Sequence, residues 1–183
     1  MKMSLGEVAA VSVECDNVLP PRLAAQVFEL LQTQWPIHAA TRHRGLEPKP
    51  NQTRLLLVVI QPTTTNQEVV VGHALLKWSS PTVCLVVSVV VHKEWRRCGL
   101  GRRLMLEVEA HVRRVGGQVP ITTYLWTTDQ GSFFQSLGYT PCPPYVHDRA
   151  TVLAHVLRTK ASPPDVPHKE MWLHQVLLPI QQS

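Results

Sequence analysis

One segment constrains this chain more than any other: residues 83–91 read Val-Cys-Leu-Val-Val-Ser-Val-Val-Val, with Ser88 its only polar side chain. A membrane-crossing helix needs about 20 apolar residues, so this run is far too short to span a bilayer and reads as a buried strand. A strand apolar on both faces must be covered on both, which implies a sheet between two further layers. The chain has 183 residues, a length that suits one domain, residues 1–183, with a full core. Hydrophobic residues at 44% against 17% charged place it among globular sequences. The start of the chain lacks the long apolar run of a secretory leader. Cys15, Cys84, Cys98 and Cys142 are scattered, with no C-x-x-C pair. Neither a metal site nor a disulfide framework is expected, and a reducing, cytoplasmic compartment is. The net charge of +5 suits an anionic partner or cofactor without choosing among them. Interleaved aromatics on a basic face are missing, so nucleic acid is not an expected partner, and neither is a membrane.

Periodicity and punctuation place the other elements. Residues 8–15 are valine-rich and read as a first strand. Pro20 and Pro21 open a helix on which Leu23, Val27, Leu30 and Leu31 recur at helical spacing, and Trp35-Pro36 stops it. Residues 37–53 are polar, basic and broken by proline, and read as a loop with room for one short helical turn. Residues 54–61 and 68–76 form a hairpin around a turn at 62–66, and a turn at 79–81 leads into the apolar strand, residues 82–91. After a glycine-rich turn comes a helix with Leu104, Val108, Val112 and Val115 on one face, ended by Gly116-Gly117. A strand at 119–126, a short helix at 130–137, and strands at 151–157 and 172–178 follow. Residues 158–169 hold three prolines and read as a loop. The order predicts a three-layer α-β-α fold with a mixed sheet.

The chemistry lies where the apolar strand meets the next helix, in His92-Lys93-Glu94-Trp95-Arg96-Arg97-Cys98-Gly99-Leu100-Gly101-Arg102-Arg103. Free amides at a helix start, with the helix dipole behind them, favour an anion such as a pyrophosphate. Gly99 and Gly101 allow close approach of the backbone, and Arg96, Arg97 and Arg102 add positive charge. No G-K-[ST] follows, so this is not a Walker loop, and the dinucleotide fingerprint lacks its third glycine. A plain glycine turn between a core strand and a surface-arginine helix would give part of the same pattern.

Arg96-Arg97-Cys98-Gly99-Leu100-Gly101 resembles the R/Q-x-x-G-x-G/A motif of the GNAT superfamily of acyl-CoA N-acyltransferases. The preceding apolar strand and the later Phe133-Phe134-Gln135-Ser136-Leu137-Gly138-Tyr139 string fall where that family places them. The resemblance implies a GNAT fold, three α-β-α layers around a mixed, mostly antiparallel, splayed sheet, and acetyl-CoA as co-substrate with no metal. It implies that amides of Arg97, Cys98, Gly99, Leu100, Gly101 and Arg102 hold the pyrophosphate. Val89, Val90 and Val91 would face the pantetheine arm, and Gln130 and Ser132 would lie near it.

The implied reaction is attack of a neutral amine on the acetyl thioester. In many family members a tyrosine protonates the leaving thiolate; here Phe134 stands in its place, leaving water, Tyr124, Tyr145 or no acid at all. Many members also carry a glutamate near position 87 or 88, absent here, so the catalytic residues are unassigned. His73, Ser88, Thr128 and Tyr145 are candidates for a proton relay through water. With a reference pKa of about 7.7–8.0, roughly a quarter of an α-amine is neutral near pH 7.4; a lysine amine at about 10.4 is only about one-thousandth neutral. α-Amines are therefore the expected acceptors.

In the protein N-terminal acetyltransferase branch, two loops flank the substrate peptide. Here Trp35, His38, Arg42, His43 and Arg44 make the first basic, and Tyr145, His147, Arg149, His168 and Lys169 bracket the other. An acidic start fits such a mouth. The Gln-Trp-Pro, Gly-His-Ala and Gly-Arg-Arg-Leu-Met strings are similar to the animal members of this branch that modify the acidic start of processed actin. Vertebrate forms carry a long proline-rich stretch associated with profilin. Residues 162–167 are short and without a proline run, which puts a profilin contact through this loop in doubt. A GNAT enzyme acting on a small-molecule amine, and a catalytically weak acyl-CoA-binding module, remain as alternatives.

Overall fold

The structure is a computed structural model that describes residues 10–61, 67–145 and 171–179. Seven strands are described: β1 (Ala10–Asp16), β2 (Gln52–Gln61), β3 (Gln67–Ser80), β4 (Val83–Val91), β5 (Ile121–Thr127), β6 (Thr140–Cys142) and β7 (Met171–Leu177). The helices are α1 (Pro21–Gln34), α2 (Ala39–Leu46), α3 (Leu100–Gly116) and α4 (Gly131–Gln135), with a 3-10 turn at Lys93–Trp95. One sheet runs in the order β1-β2-β3-β4-β5-β7-β6. Every neighbouring pair is antiparallel except β4 and β5, which are parallel. The expected turn at 62–66, the strand at 151–157 and the loop at 158–169 lie outside the described residues, as do His147, Arg149, His168 and Lys169.

The alternation of the strands assigns each face its cover. Leu56 and Val58 of β2, Val70 of β3 and Val90 of β4 point to one side, where α1 lays down Leu23, Val27, Leu30 and Leu31. Leu55, Leu57, Val59, Ala74, Leu76, Cys84 and Val86 point to the other, where α3 packs Leu104, Met105, Val108 and Val112 and α4 adds Phe134. The apolar run is thus buried from both sides, as its composition requires.

The segment at 37–53 differs from expectation: it holds the eight-residue helix α2, none of whose residues is buried. Lacking an apolar stripe, α2 gives periodicity nothing to detect. A buried arginine holds it instead. Arg54 on β2 is 1% exposed; its Nη2 donates to the carbonyls of Gly45 (2.9 Å) and Glu47 (3.4 Å), and its Nη1 to that of Asn17 (3.3 Å). A cation placed on the orphaned carbonyls of a helix C-terminus is favourable. Val115, expected on the covered face of α3, is 54% exposed. In that last turn Gly116 faces β5: a Cβ there would come within 2.5 Å of the Ile121 side chain. Val115, one residue earlier and so about 100° around the helix, turns outward. Three-residue β6 was not foreseen, being too short to show a period.

Candidate functional site

The site begins with an irregularity in β4. Its register with β3 passes from Leu75↔Ser88 to Leu76↔Val86, so Val87 is an extra residue, a β-bulge. On the other side, β5 pairs with β4 only at Val83, Cys84 and Leu85. Beyond Leu85 the two strands part, and a wedge opens between their C-terminal ends. Val89 and Val91 are half-buried beside it, while Val90 is buried under α1.

The chain then turns tightly into α3. Trp95 is 2% exposed and anchors the turn in the core. Arg97 (φ 66°) and Gly99 (φ 78°) both take left-handed backbone conformations. For an arginine this is a strained state, costing on the order of 1–3 kcal/mol and held by its surroundings. Among the described residues the first amide of α3 to find a backbone acceptor is that of Arg103, 3.0 Å from the Gly99 carbonyl. The amides of Arg97, Cys98, Gly99, Leu100, Gly101 and Arg102 donate to no backbone carbonyl there, and no side chain caps the helix. Six successive donors at or just before the positive end of a 17-residue helix favour an anion there. Gly101 brings the parts together. A Cβ at this position would stand 3.4 Å from the Phe133 ring and 3.9 Å from the Val91 side chain. The first turn of α3, the end of β4 and α4 therefore meet at one point.

Two arginines expected at the anion are engaged elsewhere. Arg96 donates through Nε to the Val91 carbonyl (2.9 Å) and through Nη2 to Gln34 Oε1 (2.6 Å). Its amide already turns back to the Lys93 carbonyl at 3.4 Å. Arg102 reaches across to α4, where Nη2 lies 3.3 Å from Ser136 Oγ and 3.4 Å from the Ser136 carbonyl. Cys98 is half-buried, its Sγ 3.6 Å from the Arg96 carbonyl. Gln130 precedes α4; its amide is held by Thr127 Oγ1 at 3.0 Å and its side chain by Asp129 at 3.0 Å. Ser132 is exposed in the first turn of α4. The Thr127 hydroxyl, which sequence reasoning passed over, sets the start of α4.

No candidate acid or base stands ready. Phe134 is 7% exposed in the core beside the Phe133 and Tyr139 rings, so the aromatic in the usual acid position fills space. Tyr139 is buried too, its hydroxyl 3.3 Å from Thr123 Oγ1, and burial holds its phenol well above the ordinary range. Tyr145 stacks on Tyr124 with centroids 4.3 Å apart. Its hydroxyl lies 3.5 Å from Ser79 Oγ, beside the start of β4 and at the opposite end from Val89, Val90 and Val91. Ser88 is 8% exposed on the α1 side, and Thr128 is half-buried just beyond β5. His73 is buried between Leu56 and Val90 in register, with neither ring nitrogen hydrogen-bonded. Burial first, then the charges of Arg54 and Arg42, push its pKa down to about 3. An imidazole so depressed cannot take a proton near neutral pH.

The basic loop after α1 divides in the same way. Arg42 turns inward: Nη2 donates to the carbonyls of Leu31 (3.2 Å) and Trp35, and Nε approaches Gln32 Oε1 (3.4 Å). Its guanidinium closes the C-terminus of α1, and burial lowers its pKa. His43 stacks on Phe28 at 4.6 Å. Trp35 is half-buried at the corner, and His38 and Arg44 are exposed. Among the described residues no cluster of His, Cys, Asp and Glu could hold a metal.

Residues 54–141 match the sequence profile described as Acetyltransferase (GNAT) domain. The mouse N-alpha-acetyltransferase 80 is 34% identical over 151 residues, 79% of this chain and 47% of the mouse protein. The chain therefore spans about half the length of this relative. Among solved structures, the Escherichia coli ribosomal-protein-S18-alanine N-acetyltransferase superposes with a TM-score of 0.63 at 12% identity, covering 94% of this chain and 97% of that one. An aminoglycoside 6'-N-acetyltransferase complexed with coenzyme A gives 0.64 at 17%, covering 93% and 99%. The profile runs from β2 through the six-amide turn to β6, the same stretch that builds the wedge, and the chain carries a GNAT acetyltransferase domain.

Proposed function

We propose that this chain transfers the acetyl group of acetyl-CoA to the α-amino group of a protein N-terminus and prefers starts rich in Asp and Glu. Processed actin is the substrate to which the sequence resemblance points. The observation that carries the reading is the run of six backbone amides that find no backbone acceptor among the described residues, at the head of α3 beside a wedge in the sheet. Bound acetyl-CoA supplies an acyl thioester activated toward amines. The amides of residues 97–102 would hold its pyrophosphate, and the main chain at Val89, Val90 and Val91 would line the arm inside the wedge. Phe134 is core and the Tyr145 hydroxyl lies 3.5 Å from Ser79 Oγ, which favours water over either side chain as the proton source for the leaving thiolate. Without a placed base, the enzyme depends on amines already neutral near pH 7, which favours α-amines over lysine.

The acidic preference rests on the exposed part of the corner after α1, chiefly Arg44 and His38, now that Arg42 is engaged with α1. A competition assay tests it, with equal amounts of peptides starting Asp-Asp-Asp, Glu-Glu-Glu, Ser-Glu and Met-Leu and labelled acetyl-CoA. The two acidic starts should take most of the label. Arg44→Ala should lower kcat/KM on them by about threefold to tenfold, in keeping with an exposed charge pair. Equal labelling of all four overturns the acidic preference. Labelling of small amines but of no peptide overturns the protein substrate.

A further inference from the structure

Arg96 stands at the head of the anion-binding turn, yet nothing in its geometry points at the anion. Its main chain closes the 3-10 turn, and its two guanidinium contacts run to β4 and to the last residue of α1. Gln34, the acceptor at 2.6 Å, lies 62 residues away in the sequence. It adjoins Trp35 at the corner where α1 meets the segment leading to α2. On the far side of that corner, Arg42 grips the carbonyls of Leu31 and Trp35. The corner bordering the proposed substrate mouth is thus held from two directions, by α2 through Arg42 and by the anion-binding turn through Arg96. The contact with the Val91 carbonyl ties the same guanidinium to the strand beside the wedge.

We propose that Arg96 is a positioning residue that couples the acyl-CoA turn to the substrate corner, rather than a ligand of the phosphates. An anion on the amides of residues 97–102 immobilises the turn and with it the Arg96 backbone. The guanidinium then holds Gln34 more firmly, and the corner samples fewer conformations. Binding at one site lowers the ordering cost at the other, and by linkage the effect is reciprocal. The contact is exposed, so the coupling should sit at the low end of the usual range, about fivefold to tenfold. The inference rests on acetyl-CoA binding at the turn.

Hydrogen exchange followed by mass spectrometry reads the coupling without a substrate. In the wild-type chain, acetyl-CoA should slow exchange at the turn, residues 97–105, and also at the corner, residues 31–42, by at least threefold. In Arg96→Met, which keeps the apolar stem, and in Gln34→Ala, protection at the turn should persist while protection at the corner is lost. Calorimetry should find acetyl-CoA affinity within about threefold of wild type in both variants. On an acidic peptide each variant should raise KM about fivefold to tenfold with kcat little changed. The double variant should be no worse than Arg96→Met alone, as a shared contact requires. Acetyl-CoA that binds and protects the turn but leaves the wild-type corner unprotected would overturn the coupling alone. So would an Arg96→Met variant that loses tenfold or more in acetyl-CoA affinity beside a silent Gln34→Ala, since Arg96 would then be a phosphate ligand. Absence of acetyl-CoA binding to the wild-type chain would overturn the proposed function together with the coupling.

Discussion

Replacing His73 with leucine should make the fold less sensitive to acid. His73 is 1% exposed in the middle of the sheet, with both ring nitrogens unbonded. Two guanidinium groups, those of Arg54 and Arg42, raise the local potential, and with burial as the larger cause they hold the ring neutral down to a pKa of about 3. In the unfolded chain the same ring has its ordinary pKa of about 6.5. Below that value the unfolded state takes up a proton that the folded state refuses, so stability is full above about pH 6.5 and falls as pH drops toward 3. Between pH 7 and pH 5 this one group should cost about 2 kcal/mol. His73→Leu keeps roughly the same volume, removes the titrating ring and removes two unsatisfied nitrogens, so at pH 7 the variant should be at least as stable as the parent. Urea unfolding of both chains at pH 7 and pH 5 measures the effect, because every other titrating group cancels in the comparison. The parent should lose about 2 kcal/mol more than the variant. Equal losses would refute the neutral buried imidazole. A variant weaker by 2 kcal/mol or more at both pH values would show that the ring makes a bond it could not do without.

Gly101→Val should weaken acetyl-CoA binding at least tenfold by calorimetry while leaving thermal melting near that of the parent. A Cβ fits there at ordinary contact distance from Phe133 and Val91, where the head of α3 meets the end of β4, and the added bulk should crowd the close approach of a pyrophosphate; unchanged affinity in a folded variant would defeat the pyrophosphate assignment. Phe134→Tyr would bury a hydroxyl among the Phe133 and Tyr139 rings, costing about 1–3 kcal/mol of stability with turnover little changed. A rise in turnover beyond tenfold, worth about 1.4 kcal/mol of barrier, would show instead that protonation of the leaving group limits the reaction.

Much of the fold was legible because most elements leave a periodic trace. The β4 run, the α1 stripe of Leu23, Val27, Leu30 and Leu31, and the α3 stripe of Leu104, Val108 and Val112 are local patterns; the structure buries both stripes and, in β4, Cys84, Leu85, Val86, Ser88 and Val90. α2 is legible in the sequence only as a short helical turn, because the force that holds the full helix is not local. A helix with no buried residue rests on one arginine beneath its C-terminus and another that grips α1 from its own first turns. Within the site, the glycine-rich turn was legible from residue types alone, since Gly99 in a left-handed conformation and free amides at a helix start are properties of a short segment. The left-handed backbone of Arg97 was not, because arginine reaches that state only under constraint from its surroundings.

The roles of the arginines mark the boundary between the two kinds of information. From its sequence this chain is a three-layer α/β domain with a backbone anion site between an apolar strand and an amphipathic helix, and with an excess of positive charge nearby. Those features depend on spacing and residue type over a few turns of chain. Which cation faces a ligand and which holds the scaffold depends on distances between residues 34 and 96, 42 and 31, and 102 and 136. A guanidinium on a long, flexible stem can serve an incoming anion or an orphaned carbonyl with equal chemistry. Tertiary packing decides between them, because only the folded chain places a helix end, a strand end or a glutamine within reach.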